Sequence, residues 1–77
     1  MFIRVIAFQE TVEGQTFHLV QGIDHDACTQ GPTGDSAAER MRLTIDAMGR
    51  EFFELPPPPP EALKKPGAEQ CVIIWGD

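Results

Sequence analysis

Gly22-Ile-Asp-His-Asp-Ala-Cys-Thr-Gln-Gly31, followed by Pro32-Thr33-Gly34 and then Asp35, is the stretch that decides the fold. Upstream of it apolar and polar residues alternate, the period of a half-buried strand; downstream the apolar residues recur at helical spacing. Between them Pro32 removes a ladder donor and the flanking glycines permit a turn, so the sheet stops here. The order is therefore sheet first, helix second.

Working back from Gly22, Phe17 and Leu19 alternate with His18 and Val20, a second strand. Gly22 marks a bulge or bend, and Ile23 to Thr29 reads as a continuation offset by it. Thr11-Val-Glu-Gly-Gln15 is a short loop with Gly14 available for positive φ, so the preceding strand, Phe2 to Gln9, forms a hairpin with the second. In that first strand Phe2, Ile6 and Phe8 point one way, with Arg4 among them, and Ile3, Val5 and Ala7 point the other. A strand apolar on both faces is central or covered.

Working forward, Ser36 and Glu39 stand at capping-box spacing, and Asp35 adds negative charge near the helix N-terminus. Ala38, Met41, Ile45, Met48 and Phe52 then share one face, with Glu39, Arg42, Asp46 and Arg50 turned away, which predicts a helix over 36–53. Pro56 to Pro60 cannot continue it, because consecutive prolines have no donors. The run favours polyproline II and opens a connector over 55–69, with one helical turn from Glu61 to Lys65. Gln70 to Trp75 is the last strand. The expectation is a single α+β domain over 1–77, with a hairpin or meander over 2–30. Its three- to four-stranded, mainly antiparallel sheet carries one amphipathic helix on one face.

The chain has 77 residues, with 6 Lys+Arg against 12 Asp+Glu and a formal net charge of −6. A domain this small buries only about 60% of the surface its unfolded chain exposes, so self-association would add area the monomer lacks. Hydrophobic edge strands point to a dimer through a sheet edge or a helix face. Arg40/Arg42 and Lys64/Lys65 are the only basic clusters, too thin for phosphate-backbone binding, so direct DNA binding is not expected and a basic protein partner fits better. No apolar run is long enough to span a bilayer, and Met1 to Phe8 has neither the flanks nor the cleavage site of a signal peptide. A cytoplasmic protein is expected, with Cys28 and Cys71 as buried thiols. A bridge between them is geometrically possible only if they lie on neighbouring strands.

Asp24, His25, Asp26 and Cys28 form the densest group of chemically able side chains, with His18 and Cys71 as further candidates. On a strand Asp24, Asp26 and Cys28 share one face and His25 takes the other, which splits any metal or Cys–His set. No metal, cofactor or catalytic residue is therefore expected. Gly31-Pro-Thr-Gly34 lacks both phosphate-loop patterns, and Asp35 would repel an anion. Asp24, His25 and Asp26 are instead partner-contact candidates. Trp75 either caps the core or anchors an interface, where tryptophan is enriched.

From Asp26-Ala-Cys-Thr-Gln-Gly-Pro-Thr-Gly-Asp-Ser-Ala-Ala-Glu-Arg-Met41 the chain resembles the HicB-like family of small proteins. That family shows a strand, a pattern close to (A/T)-Q-G-(D/P)-T, and a helix opening with acids and alanine. The resemblance extends upstream to the hairpin and downstream through Leu55–Pro60 to Val72–Trp75. It implies a partial RNase-H-like, double-stranded-RNA-binding-domain-like module that covers the active site of a small basic ribonuclease, HicA. Many antitoxins of the family add a DNA-binding domain that these residues do not contain, so autorepression is not expected. Where the family has a Pro-Gly-Cys-type turn, this chain has Gly22-Ile-Asp-His-Asp26. The first expectation is a non-catalytic, antitoxin-like module neutralising a HicA-type ribonuclease. The alternatives are a standalone or phage-borne adaptor with another protein target and, more remotely, a remnant nuclease or nucleic-acid binder.

Overall fold

A computed structural model describes residues 1–76. Four strands form one antiparallel sheet in the order β3-β2-β1-β4: β1 (Phe2–Val12), β2 (Gln15–Gly22), β3 (Cys28–Gly31) and β4 (Glu69–Ile74). Three helices, α1 (Gly34–Met48), α2 (Arg50–Glu54) and the four-residue α3 (Pro60–Leu63), lie between β3 and β4. The chain is an α+β domain.

The β1–β2 hairpin is tighter than the loop expected over Thr11–Gln15. Its strands run to Val12↔Gln15, leaving Glu13 and Gly14 as a two-residue turn with φ of 52° and 79°. Positive φ at both positions matches the right-handed twist of the strands. The stretch after Gly22 does not continue β2. It bends back, so that β3 pairs antiparallel with β2 from Gln21↔Cys28 to His18↔Gly31. Gly22 permits the bend because a Cβ there would collide with the His25 carbonyl oxygen. Its N–H donates to the Ala27 carbonyl at 2.8 Å, and the Ala27 N–H to the His25 carbonyl at 2.8 Å.

The first helix starts earlier than expected. Thr33, in extended conformation, is the N-cap, and its hydroxyl accepts from the Ser36 N–H while the Thr33 N–H donates to the Ser36 hydroxyl, both at 3.1 Å. Ser36 therefore closes a capping box instead of opening one. Gly31 admits this turn, since a Cβ on it would collide with Ser36 Oγ. The helix expected over 36–53 is also broken. Gly49 takes φ 57°, its N–H donates to the Ile45 carbonyl at 2.8 Å, and the chain restarts as α2. The break re-aims Phe52 so that it is fully buried.

Two apolar layers result, one on each face of β1. On the helix side Ile3, Val5, Val20 and Ile73 pack with Ala37, Met41, Ile45 and Phe52. On the other side Ile6 and Phe8 are also buried, and the proline connector supplies their cover. The Asp26 N–H donates to the Pro56 carbonyl at 2.8 Å, Pro58 is buried, and the Lys65 ammonium lies 5.5 Å from the Phe8 ring centroid. Lys65 Nζ also sits 3.7 Å from Glu10 Oε1, on the same face as Phe8. The connector is a strap on the face of β1 away from the helices, where Ile6 and Phe8 form a second buried patch, as the two-sided apolar pattern of that stretch requires.

Candidate interaction surface

The bend after β2 places the candidate contact residues, and each has a partner within the chain. Arg4, on the strap side of β1, reaches Asp24 with a two-pronged contact: Nε to Oδ2 at 2.9 Å and Nη2 to Oδ1 at 2.6 Å. The hydrogen bonds from Arg4 hold the Asp24 carboxyl below its ordinary range, and the same contact raises the Arg4 guanidinium. Asp26 accepts from Gln21 Nε2 at 3.1 Å. That bond satisfies the buried Gln21 amide, which also donates to the Gly22 carbonyl.

His25 turns inward. Its Nδ1 lies 3.2 Å from the Leu55 carbonyl, and its ring packs 5.0 Å from Phe52 and 5.5 Å from Phe53. Phe53 in turn lies 5.5 Å from Trp75, whose indole N–H donates to Asp46 Oδ1 at 2.5 Å. One aromatic chain thus runs from the bend through α2 to the end of β4, and Trp75 packs partly buried against the core. The bend and α2 are locked together by His25, and Asp24 and Asp26 on the one and Glu51 and Glu54 on the other are exposed.

The remaining chemically able residues are not brought together. His18 lies on the helix side of the sheet, opposite Gln9, while Cys28 lies on the strap side opposite Gln21. Cys28 and Cys71 are both exposed, correcting the expectation of buried thiols. They occupy the two edge strands, separated by β2 and β1, about 14 Å apart across the sheet and on opposite faces, which rules out a bridge within one chain. The Cys28 thiol is pushed up, first by desolvation and then by the Glu10 carboxylate. Among the described residues no group of three or more His, Cys, Asp or Glu side chains converges as a metal site. A groove of about 400 Å³ beyond the α1 N-terminus is lined by Ala7, Gln9, His18, Gly34 and Glu69, among others.

Beside the acidic end lies the hydrophobic sheet edge that residue patterns suggested without placing it on a strand. Phe2, Val72 and Ile74 share the strap side of β1 and β4 beyond the reach of the strap, and they are 70%, 52% and 59% exposed. Met1 adjoins them, and the Arg4–Asp24 pair borders them. Edge position is the missing signal: Val72 and Ile74 read as strand residues, but only the strand order reveals that β4 has a free side. No helix is long and apolar enough to cross a membrane among the described residues. Comparison with protein-family models, with curated proteins and with solved structures gives no match.

Proposed function

We propose that this chain is a non-catalytic protein-binding module that occludes a basic partner, of the kind the HicB-like resemblance implies: a small HicA-type ribonuclease. The observation that carries the reading is the acidic end held together by His25. Asp24 and Asp26 on the bend and Glu51 and Glu54 on α2 are exposed carboxylates on two segments joined by a rigid aromatic base, with Arg4 offsetting Asp24. Among the described residues the ion pairs are Arg4–Asp24 and Lys65–Glu10, so most of the acid surplus faces solvent. Such a surface steers a basic partner into encounter. The chemically able side chains of the bend are engaged in structural bonds, which supports binding over catalysis.

The test is capture from the native host followed by an RNA-degradation assay on what is recovered. Met1 and Trp75 meet at the β1–β4 pair, where the Met1 amine donates to the Trp75 carbonyl at 3.1 Å. The tag therefore belongs on a flexible linker after Asp77, which leaves the Met1 amine free to make that bond. A small basic protein whose RNA cleavage stops on adding this chain back supports the reading. Recovery of a non-nuclease target instead points to the adaptor function, and no specific capture at all discards both.

A further inference from the structure

We infer that the free edge of β4 pairs with β4 of a second copy of this chain, antiparallel, about a two-fold axis through Val72. The backbone already decides which groups are available. Met1 and Trp75 exchange hydrogen bonds, the Trp75 N–H donating to the Met1 carbonyl at 2.9 Å and the Met1 amine to the Trp75 carbonyl. Hydrogen-bonded pairs alternate along an antiparallel ladder. In the register Phe2↔Ile74 to Ala7↔Glu69, the groups of Ile73 and Cys71 therefore also point at β1. Those of Gln70, Val72 and Ile74 point outward.

Three outward residues, evenly spaced, pair most fully with themselves when Val72 faces Val72 and Gln70 faces Ile74. Every outward N–H and C=O then finds a partner; shifting the axis to Cys71 or Ile73 leaves some unpaired. The same register keeps strap-side residues opposite strap-side residues, as a sheet continuous across the axis requires.

Charge and exposure favour a second copy over a charged partner strand. Gln70 to Trp75 carries no charge, so two chains of net charge −6 can approach along this edge without like charges facing each other across the ladder. Glu69 comes opposite Trp75 and not its own copy. Of the exposed large apolar residues, Met1, Phe2, Val72 and Ile74 lie on or beside this edge. The opposite edge is guarded in the usual ways. β3 has four residues, Pro32 follows it, and Arg40 Nη1 donates to the Gln30 carbonyl at 2.7 Å. β4 carries neither a proline nor a bulge.

A six-residue edge with Phe2 beside it falls at the low end of interface sizes, under about 1,200 Å² in total. The dimer therefore exchanges with monomer. This inference does not depend on the ribonuclease reading, because the acidic end stays open on both copies.

Sedimentation velocity on the full chain, from about 5 to about 500 µM, tests it through mass action. The expected mass rises from 8.5 kDa toward twice that value. Val72→Pro removes an N–H that β1 does not use, so it should remain folded and stay monomeric throughout. Val72→Lys, which places a charge at the axis, should do the same and decides the matter if the proline variant fails to fold. A wild-type chain that stays monomeric, or a folded variant that dimerises as the wild type does, overturns the proposal. The register has its own check: Val72→Cys in a Cys28→Ser, Cys71→Ser background should be captured as a covalent dimer by a short bis-methanethiosulfonate linker, because the facing Cα atoms of a hydrogen-bonded pair lie only about 5.5 Å apart. Dimers that the linker does not capture overturn the axis through Val72.

Discussion

Single residues do most of their work here through the backbone. Glu13 sits at φ 52° in the hairpin turn, a region costly for a residue with a Cβ and favourable for asparagine. Glu13→Asn should therefore stabilise the chain by about 0.5–1 kcal/mol, seen as a higher urea midpoint with an unchanged slope. Gly22→Ala acts in the opposite sense. Its methyl group would drive into the His25 carbonyl and should cost about 1–3 kcal/mol, the range for overpacking.

Asp24 gives a pH signature. Its folded carboxyl is held below the unfolded value by Arg4, so its contribution is present above the unfolded pKa and lost as pH falls through the folded one. Between neutral pH and about pH 3 the wild type should lose more stability than Asp24→Asn. Parallel denaturation series at each pH would show it; curves of identical shape would mean that the pair contributes nothing. The exposed residues Asp24 and Asp26 were legible as surface polar groups. The inward turn of His25 was not, because strand alternation assigns it a face only if the bend is ignored.

At the scale of elements, the helix and the strap are the two additions that complete the sheet. Met41 and Ile45 came directly from helical spacing, and both are fully buried. Phe52 was assigned to the same face, but it reaches the core through the Gly49 break and a second helix. Phe52→Ala should cost about 3–5 kcal/mol. A domain this size holds little more than that, so the variant should be largely unfolded by far-UV circular dichroism at 25 °C.

The strap acts through stiffness. Five prolines between Leu55 and Glu61 limit the unfolded chain, and each replacement by glycine returns freedom that folding must remove. Converting Pro57 and Pro59 to glycine should lower stability by about 1–2 kcal/mol while leaving both apolar layers formed. A midpoint unchanged from the wild type would show that the segment is a passive link. The proline run was readable as polyproline II connecting helix to strand. Its second role, covering Ile6 and Phe8, was not, since nothing local says which face of the sheet it crosses.

For the molecule as a whole, association is coupled to stability. If β4 edges pair, the thermal midpoint rises with protein concentration, and Val72→Lys removes that dependence. Binding of a basic partner at the acidic end should weaken as salt rises and slow mainly in its on-rate, whereas β4 pairing, built on uncharged residues, should respond little. The two surfaces are therefore separable in one salt series.

What the amino-acid sequence determined by itself was local: where strand period gives way to helix period at Gly31–Gly34, which helix face is apolar, that β1 is apolar on both sides, and that the proline run is neither helix nor inner strand. Each follows from torsional preference or from a side-chain period of two or 3.6, and these act between near neighbours in the chain. Tertiary structure alone decided that β3 folds back beside β2, that β4 joins β1 and leaves its other side free, that the strap crosses the face opposite the helix, and that Cys28 and Cys71 end up on opposite edges. Those outcomes rest on contacts between residues distant in sequence. They are chosen by which arrangement buries Ile6 and Phe8 on one face of the sheet and Phe52 on the other, and no local spacing encodes that.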